Sequence, residues 1–347
     1  MRTADFSFDL PEELIAQRPP ERRGESRLMV LGRASGLHDH ATVERLADHL
    51  EPGTLMVFND SRVRKARIFG EALDTGGKAE FLLLRQRTDG AWEAIASRAK
   101  RQRPGRRYAF PEGMSAEVIG PGDAEGGARH DTILITFDPP MTEAYLERFG
   151  HVPLPPYIKR ADEGEDSERY QTIYSREVGS AACPTAGLHF TEGILASLDA
   201  KGIRRAAVTL HVGLGTFLPV RTETVEGHAM HAEGYSVPEE TAREVMAAKA
   251  EGRPVLAVGT TSLRTLESAW TADGGLRAGR GSTRIFIYPG YRFAVVDALF
   301  TNFHTPKSTL LMLVSAFAGR ESILDAYAEA VRGRYRFFSY GDAMLIK

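Results

Sequence analysis

Histidines and a carboxylate cluster in the segment HAMHAEGY, where His228, His231 and Glu233 fall within six residues. Two further histidines, His189 and His211, lie upstream. Imidazole beside a carboxylate can transfer protons or hold a metal ion. The spacing differs from the His-Glu-x-x-His pattern of zinc proteases. Each histidine alone is most often a structural imidazole, but the cluster indicates a role for at least one of them.

A second candidate site lies where an apolar strand enters a helix, in AVGTTSLRTLES. Thr260, Thr261 and Ser262 would add hydroxyls to the free N–H groups of a helix start, and Arg264 would add a bidentate donor. Such a site suits a carboxylate or a phosphate. The alternative is ordinary helix capping by Thr261 or Ser262.

Two other segments carry groups suited to ligand contact. In VTLHVGLGTFLPV, Gly213 and Gly215 allow close backbone approach, although Pro219 excludes a Rossmann dinucleotide motif. In TNFHTPKSTLL, Asn302, His304 and Lys307 gather at a predicted helix start, with Thr305 as N-cap and Pro306 at the first helical position.

A basic run, SRAKRQRPGRR, has no acidic residue between Glu93 and Glu112. It can follow a phosphate backbone, or it can be an exposed basic hairpin. The net charge of −2 gives no general sign of nucleic-acid binding. The candidate contacts are Arg98, Lys100, Arg101, Arg103, Arg106 and Arg107.

The elements that must position these residues alternate in the α/β manner. Strands are predicted at 28–31, 54–58, 206–212, 255–258 and 284–287, and helices at 12–17, 43–50, 141–149, 239–250 and 262–269. Between residues 64 and 136 short β segments alternate with Gly, Pro and Asp clusters, at 79–84, 91–96, 116–119 and 131–137. We therefore expect a larger α/β domain with a parallel or mixed sheet (1–63 and 150–347) and a smaller inserted antiparallel β-barrel-like domain (64–149).

Length and composition are those of a globular protein: 347 residues, 42% hydrophobic and 26% charged. The single cysteine, Cys183, excludes an intramolecular disulfide. The N-terminus has no apolar stretch typical of a secretory signal, and the apolar run 309–319 is short for a membrane span and indicates a core helix. We expect a cytoplasmic protein without membrane association.

Motifs along the whole chain resemble those of the S-adenosylmethionine:tRNA ribosyltransferase-isomerases of queuosine biosynthesis. They are DFSFDLPEELIAQ, FNDSRVRKARIFG, LPPYIKR, ACPTAGLHF, HVGLGTF, VGTTSLRTLES, the run 285–319 and YRFFSYGDAMLI. The chain departs from the family in having Asp60 and Ser61 where Asn-Thr is more usual, and Cys183 where Ala is common.

The resemblance implies that S-adenosylmethionine is a co-substrate donating its ribosyl group, with no bound prosthetic group and no metal. The acceptor is 7-aminomethyl-7-deazaguanine at the wobble position of tRNA, and the product is epoxyqueuosine with release of adenine and methionine. A monomer is expected.

The resemblance also assigns residues to roles. The general base would be among His228, His231 and Glu233, with His189 or His211 assisting adenine departure. Substrate contacts would come from Thr185, Gly187, Gly213, Gly215, Thr216, Thr260, Thr261, Ser262, Arg264, Asn302, His304 and Lys307. The basic run would contact tRNA.

Two alternatives stay open. One is a metal-dependent hydrolase that uses the His and Glu cluster, and the other is a tRNA-binding relative without catalysis.

Overall fold

The computed structural model describes residues 1–97, 99–122, 132–213, 220 and 222–347. Its largest element is a nine-stranded mixed sheet. In spatial order its strands are β17 (Gly279–Thr283), β13 (Glu233–Val237), β12 (Arg204–Leu210), β3 (Leu55–Asn59), β14 (Val255–Val258), β18 (Ala298–Asn302), β19 (Ala343–Ile346), β1 (Arg27–Leu31) and β2 (His38–Thr42).

Four adjacent strands of this sheet, β12, β3, β14 and β18, run parallel. Their carboxyl ends, at Leu210, Asn59, Val258 and Asn302, therefore lie along one edge of the sheet. In open α/β sheets this is the edge at which ligands bind.

Helices cover both faces of the sheet, as the buried strands require. One face packs against a core that includes the helices Glu239–Ala250, Gly259–Ala269, Thr309–Ala318 and Arg320–Arg332, and the other packs against the helix Glu192–Ala200 and the 3-10 segment Val43–His49. The helices are α1 (Glu143–Phe149), α2 (Asp166–Arg169), α3 (Glu192–Ala200), α4 (Glu239–Ala250), α5 (Gly259–Ala269), α6 (Thr309–Ala318) and α7 (Arg320–Arg332). Further 3-10 segments are Thr3–Phe6, Glu12–Leu14, Ala99–Arg101, Pro111–Gly113, Thr185–His189 and Val225–Gly227.

Two short strand pairs lie outside the large sheet: β4 (Ser61–Val63) with β11 (Glu177–Ser180), and β15 (Trp270–Thr271) with β16 (Gly275–Leu276). Among the described residues, no helix combines the length and hydropathy needed to cross a membrane.

Six antiparallel strands form a closed barrel with its own apolar core. They are β5 (Arg67–Ala72), β6 (Lys78–Gln86), β7 (Trp92–Ala96), β8 (Arg107–Ala109), β9 (Ser115–Pro121) and β10 (Thr132–Asp138). The predicted fold class, an α/β domain with a mixed sheet plus an antiparallel barrel, is confirmed. The domain boundaries at 64 and 149 stay a prediction.

Strand register places the basic run at the far end of the barrel. The chain enters the barrel at Arg67 and leaves it at Asp138, and the strand register places both residues toward the same end of the barrel. Segment 73–77 and the described residues 99–106 lie at the opposite end, next to strand ends of the barrel. A strand of six residues spans about 20 Å, so the basic run projects by about that distance.

Several predicted elements match closely: residues 239–250 form α4 and residues 255–258 form β14. The predicted strand 284–287 is wrong, because β17 ends at Thr283 and the Thr283 hydroxyl accepts the Ile285 N–H (3.0 Å). Within the described part of the chain, no strand pairs with the backbone of segment 284–288.

Two predicted helix starts are also wrong. Helix α6 begins at Thr309, not Pro306: its N-cap is Ser308, whose Oγ accepts the Leu311 N–H (3.1 Å), and Lys307 has a positive φ of 58°. Helix α5 begins at Gly259, whose φ of 86° glycine tolerates, so neither Thr261 nor Ser262 is its N-cap.

Candidate active site

A cavity of about 480 Å³ opens at the edge where the parallel strands end. Residues that directly follow β14 and β18 line it, together with parts of the segments 155–157, 182–186, 230–233 and 338–339. Of the predicted site residues, the cavity brings together Thr185, His231, Glu233, Thr260, Thr261, Arg264, Asn302, His304 and Lys307.

A buried ion pair forms one wall of the cavity. Arg264 Nη1 donates to Glu233 Oε2, and the side chains are only 7% and 5% exposed. The other carboxylate oxygen of Glu233 accepts the Gly213 N–H (3.0 Å). Arg264 Nε and Nη2 are buried, and no described residue accepts a hydrogen bond from either of them. Since an unpaired buried donor costs about 1–3 kcal/mol, these two donors favour an anionic ligand.

The amino end of α5 faces the same space through Gly259, Thr260 and Thr261. Its N-cap, Val258, makes no side-chain capping bond, so the helix start keeps N–H groups for a ligand. Buried Asn59, at the end of β3, holds Thr261 by donating from Nδ2 to Oγ1 (3.1 Å). Ser262 instead turns inward and donates to the Val258 carbonyl (2.8 Å).

Asn302 is fixed in one orientation by three contacts. Its Nδ2 donates to His189 Nε2 (3.0 Å) and to the Phe338 carbonyl (3.2 Å), and its Oδ1 accepts from the Thr185 hydroxyl (3.1 Å). Burial lowers the pKa of His189 to about 3, so this imidazole is neutral and can accept at Nε2. His189 therefore supports the cavity wall from behind.

The remaining titratable groups of the cavity differ in exposure. His304 is buried, and burial lowers its pKa to about 3; its Nε2 contacts the Thr301 hydroxyl (3.1 Å). His231 is partly exposed and Lys307 is exposed. Burial raises the pKa of the Cys183 thiol well above its usual range, which argues against a nucleophilic thiolate.

Aromatic side chains that the sequence analysis did not single out form another wall. Tyr157 and Phe338 lie 4.7 Å apart between ring centroids, and the Tyr157 hydroxyl contacts the Ser339 hydroxyl (2.5 Å). Burial raises the pKa of Tyr157 to about 12. Both aromatic residues belong to motifs that carried the resemblance, LPPYIKR and YRFFSYGDAMLI, and this was the signal that could have identified them.

Other predicted site residues lie outside the cavity lining. His211 faces a separate open groove, where burial and the nearby Arg64 charge lower its pKa. Gly187 packs against Tyr174, and a Cβ there would lie 2.1 Å from the tyrosine hydroxyl. His228 packs edge-on against Phe286, with ring centroids 5.4 Å apart. Gly215 and Thr216 lie outside the described residues.

The arginines of the basic run differ in their exposure and in their hydrogen bonds. Arg101, Arg103 and Arg107 are exposed, whereas Arg106 donates to Asp74 Oδ1 (3.3 Å) and to the Arg101 carbonyl (3.1 Å). Arg98 and the side chain of Lys100 lie outside the described part of the chain.

Fold and cavity together define a class of protein: an α/β protein with an attached antiparallel barrel and a cavity, lined by a buried Arg–Glu ion pair, at the carboxyl edge of its sheet. A family model described as "Queuosine biosynthesis protein" matches residues 3–346, and the chain belongs to this family.

Named relatives agree with this family assignment. The chain is 51% identical over 350 residues to the S-adenosylmethionine:tRNA ribosyltransferase-isomerase of Treponema denticola, and 51% identical over 349 residues to that of Clostridioides difficile, with all of each chain covered. The crystal structure of S-adenosylmethionine tRNA ribosyltransferase from Thermotoga maritima is 36% identical, with a TM-score of 0.57; the match covers 99% of this chain and 100% of that one.

Proposed function

We propose that this enzyme transfers and isomerises the ribosyl group of S-adenosylmethionine onto 7-aminomethyl-7-deazaguanine at the wobble position of tRNA. The products are epoxyqueuosine-tRNA, adenine and methionine. The observation that carries the proposal is Arg264 in a chain of this family: it lines the cavity, it is buried, and two of its donors have no partner among the residues that the structure describes.

Arg264 binds the methionine carboxylate of S-adenosylmethionine in this proposal. A planar guanidinium with two free donors matches a carboxylate in a bidentate manner. The start of α5 adds backbone N–H groups beside Thr260. Glu233 holds the guanidinium in place, so its carboxylate is engaged in positioning.

His231 is then the general base. The sulfonium charge acidifies the 5′-carbon, and a base there removes a proton before adenine leaves, the substrate amine attacks, the epoxide closes and methionine departs. Three observations favour His231: it lines the cavity, it is partly exposed, and Glu233 is already paired. Neutral His304 contributes a hydrogen bond.

The adenine lies against the aromatic wall of Tyr157 and Phe338, since flat rings stack on aromatic side chains. The oxygens of Thr185 and Asn302, each with a lone pair left, accept from its exocyclic amine. His189 acts through Asn302 and is a positioning residue.

The test incubates the purified enzyme with S-adenosylmethionine and tRNA bearing 7-aminomethyl-7-deazaguanine, and measures adenine release and the mass of the digested nucleoside. Arg264→Ala should weaken S-adenosylmethionine binding by tenfold or more, and His231→Ala should abolish adenine release while binding persists. Arg205→Ala, in an exposed ion pair with Asp199, is the control and should behave like the wild type.

Other outcomes would contradict the proposal. Activity lost on chelation would favour the metal-dependent hydrolase. Binding of tRNA with neither adenine nor a modified nucleoside would favour the non-catalytic relative.

A further inference from the structure

An aromatic strip lies beside the cavity and has no part in the chemistry above. We propose that this strip, formed by His228, Phe286 and Tyr288, stacks the unpaired nucleobases that flank the reacting nucleotide in the RNA loop. The inference rests on the proposed function and adds the surface that receives the RNA.

The rings of the strip form a continuous series. His228 and Phe286 have centroids 5.4 Å apart, and Phe286 and Tyr288 have centroids 5.1 Å apart. All three side chains are partly exposed. Phe286 and Tyr288 pack against the main core on one side, so the strip is anchored and keeps a part of each ring accessible. Accessible aromatic rings stack unpaired bases without requiring a particular sequence.

Local hydrogen bonds on both sides hold the backbone of Phe286 and Tyr288 in place. At one end the Thr283 hydroxyl accepts the Ile285 N–H. At the other, residues 288–291 form a turn in which the Tyr291 N–H donates to the Tyr288 carbonyl (3.1 Å) and Gly290 has a φ of 107°. Proline followed by glycine with positive φ is typical of a type II turn. The platform is therefore preorganised, which lowers the entropy lost on binding.

The strip continues into the cavity through a short piece of chain. His228 lies three residues before His231, and Met230 and His231 both line the cavity. The two imidazoles are close enough that the charge of His231 contributes to lowering the pKa of His228, after burial. A nucleotide inserted toward His231 would thus place its neighbours over the strip.

Charge around the strip suits RNA as the occupant. No Asp or Glu occurs from residue 274 to 296, whereas four arginines do, and all four are exposed: Arg277, Arg280, Arg284 and Arg292. Phosphates that link stacked bases would meet the positive charge of these arginines. The exposed carboxylate of Glu226, two residues before His228, is paired with the N-terminal amine (2.6 Å). The charge of the arginines also disfavours a second copy of this chain, because the strip would face its own positive charge.

The experiment uses the full enzyme and an anticodon stem-loop RNA carrying 7-aminomethyl-7-deazaguanine, with 2-aminopurine replacing one flanking base. Stacking quenches 2-aminopurine, so binding to the wild type should quench it. Phe286→Leu and Tyr288→Leu keep apolar bulk without an aromatic face; each should raise the KM for RNA about tenfold and remove the quenching. The KM for S-adenosylmethionine should not change.

Two kinds of control variant distinguish a loss of base stacking from a structural disturbance of the protein. Phe286→Tyr and Tyr288→Phe should restore quenching and the RNA KM. Phe69→Leu, at an aromatic side chain 46% exposed on the barrel, is the matched control and should match the wild type.

The results distinguish failure of the strip from failure of the function. A wild type that turns over without quenching flanking 2-aminopurine, or leucine variants with unchanged quenching and KM, would overturn the strip alone. A wild type that releases no adenine would overturn the proposed function and the strip with it.

Discussion

Arg264 and Glu233 form an ion pair in the wall of the cavity; the carboxylate uses both oxygens, and two guanidinium donors have no partner among the described residues. The Arg264 and Glu233 side chains are only 7% and 5% exposed, so the two donors have little access to water. A ligand carboxylate would satisfy these donors, so binding and fold stability are coupled through the same side chain.

Removing Glu233 should destabilise the protein strongly. Glu233→Ala leaves Arg264 buried and unpaired, and breaking such a pair costs about 3–5 kcal/mol. Urea unfolding measures the free energy of unfolding. Asp199→Ala, which breaks the exposed pair with Arg205 (2.7 Å), is the control and should cost at most about 1 kcal/mol. Equal losses in the two variants would contradict the buried pairing.

Stability should fall as the pH drops below about 6.5, because His189 and His304 are buried and neutral. Burial lowers the pKa of both from 6.5 to about 3 in the folded state. Between these values the unfolded chain binds protons that the folded chain does not. The stability is therefore fully present above about pH 6.5 and is lost as the pH falls toward 3, by up to about 1.4 kcal/mol per pH unit for each group.

Replacing His189 tests this slope. His189→Gln keeps an acceptor for Asn302 and removes one titrating group, so stability between pH 4 and 6 should depend less on pH, by about 1 kcal/mol per pH unit. Urea unfolding at several pH values measures the slope. Near pH 8 residue 189 is uncharged in both proteins, folded or unfolded, so the stability of neither protein should change with pH through this residue. This pH is the internal control. Parallel curves between pH 4 and 6 would contradict a neutral His189.

Ser308 should contribute to stability as the cap of α6. Ser308→Ala removes the acceptor of the Leu311 N–H and should cost about 1 kcal/mol. Thr305→Ala is the matched control, because Thr305 lies before the helix and is not its cap. Thermal unfolding measures the stability of the two variants. A larger loss of stability for Thr305→Ala than for Ser308→Ala would indicate that the helix begins at Pro306 with Thr305 as its N-cap.

Prediction from sequence succeeded where one local rule determined the structure. The apolar run Val255–Val258 and the periodic helix Glu239–Ala250 match the structure residue for residue. Segment 284–287 has the same strand-like composition, but strand formation needs a neighbour, and the Thr283 side chain takes the N–H that a neighbour would bind. Composition cannot report that competition.

The candidate site shows the same division. Motif chemistry identified Arg264 and His231, which face the cavity, but grouped them with His211, which faces a groove elsewhere. His211 and Val212 are adjacent, and only Val212 lines the cavity, since successive side chains at a strand end point to opposite sides. Which side holds the cavity depends on strand order in the sheet, and a single sequence does not determine that order.

The exposed arginines at the far end of the barrel should bind tRNA by charge alone. Replacing Arg101, Arg103 and Arg107 together by Ala should weaken tRNA binding while leaving the KM for S-adenosylmethionine unchanged, because the barrel end projects about 20 Å from the chain's entry point. Each lost phosphate contact lowers the magnitude of the slope of log K against log salt by about 0.7–0.9. The slope of the triple variant should therefore be smaller in magnitude by about 2–3.

Binding is measured by filter retention across a salt series. Arg22, Arg45 and Arg332, exposed side chains of the sheet domain, form the matched triple control. If both triples lowered the slope equally, general positive charge and not the barrel end would attract the tRNA.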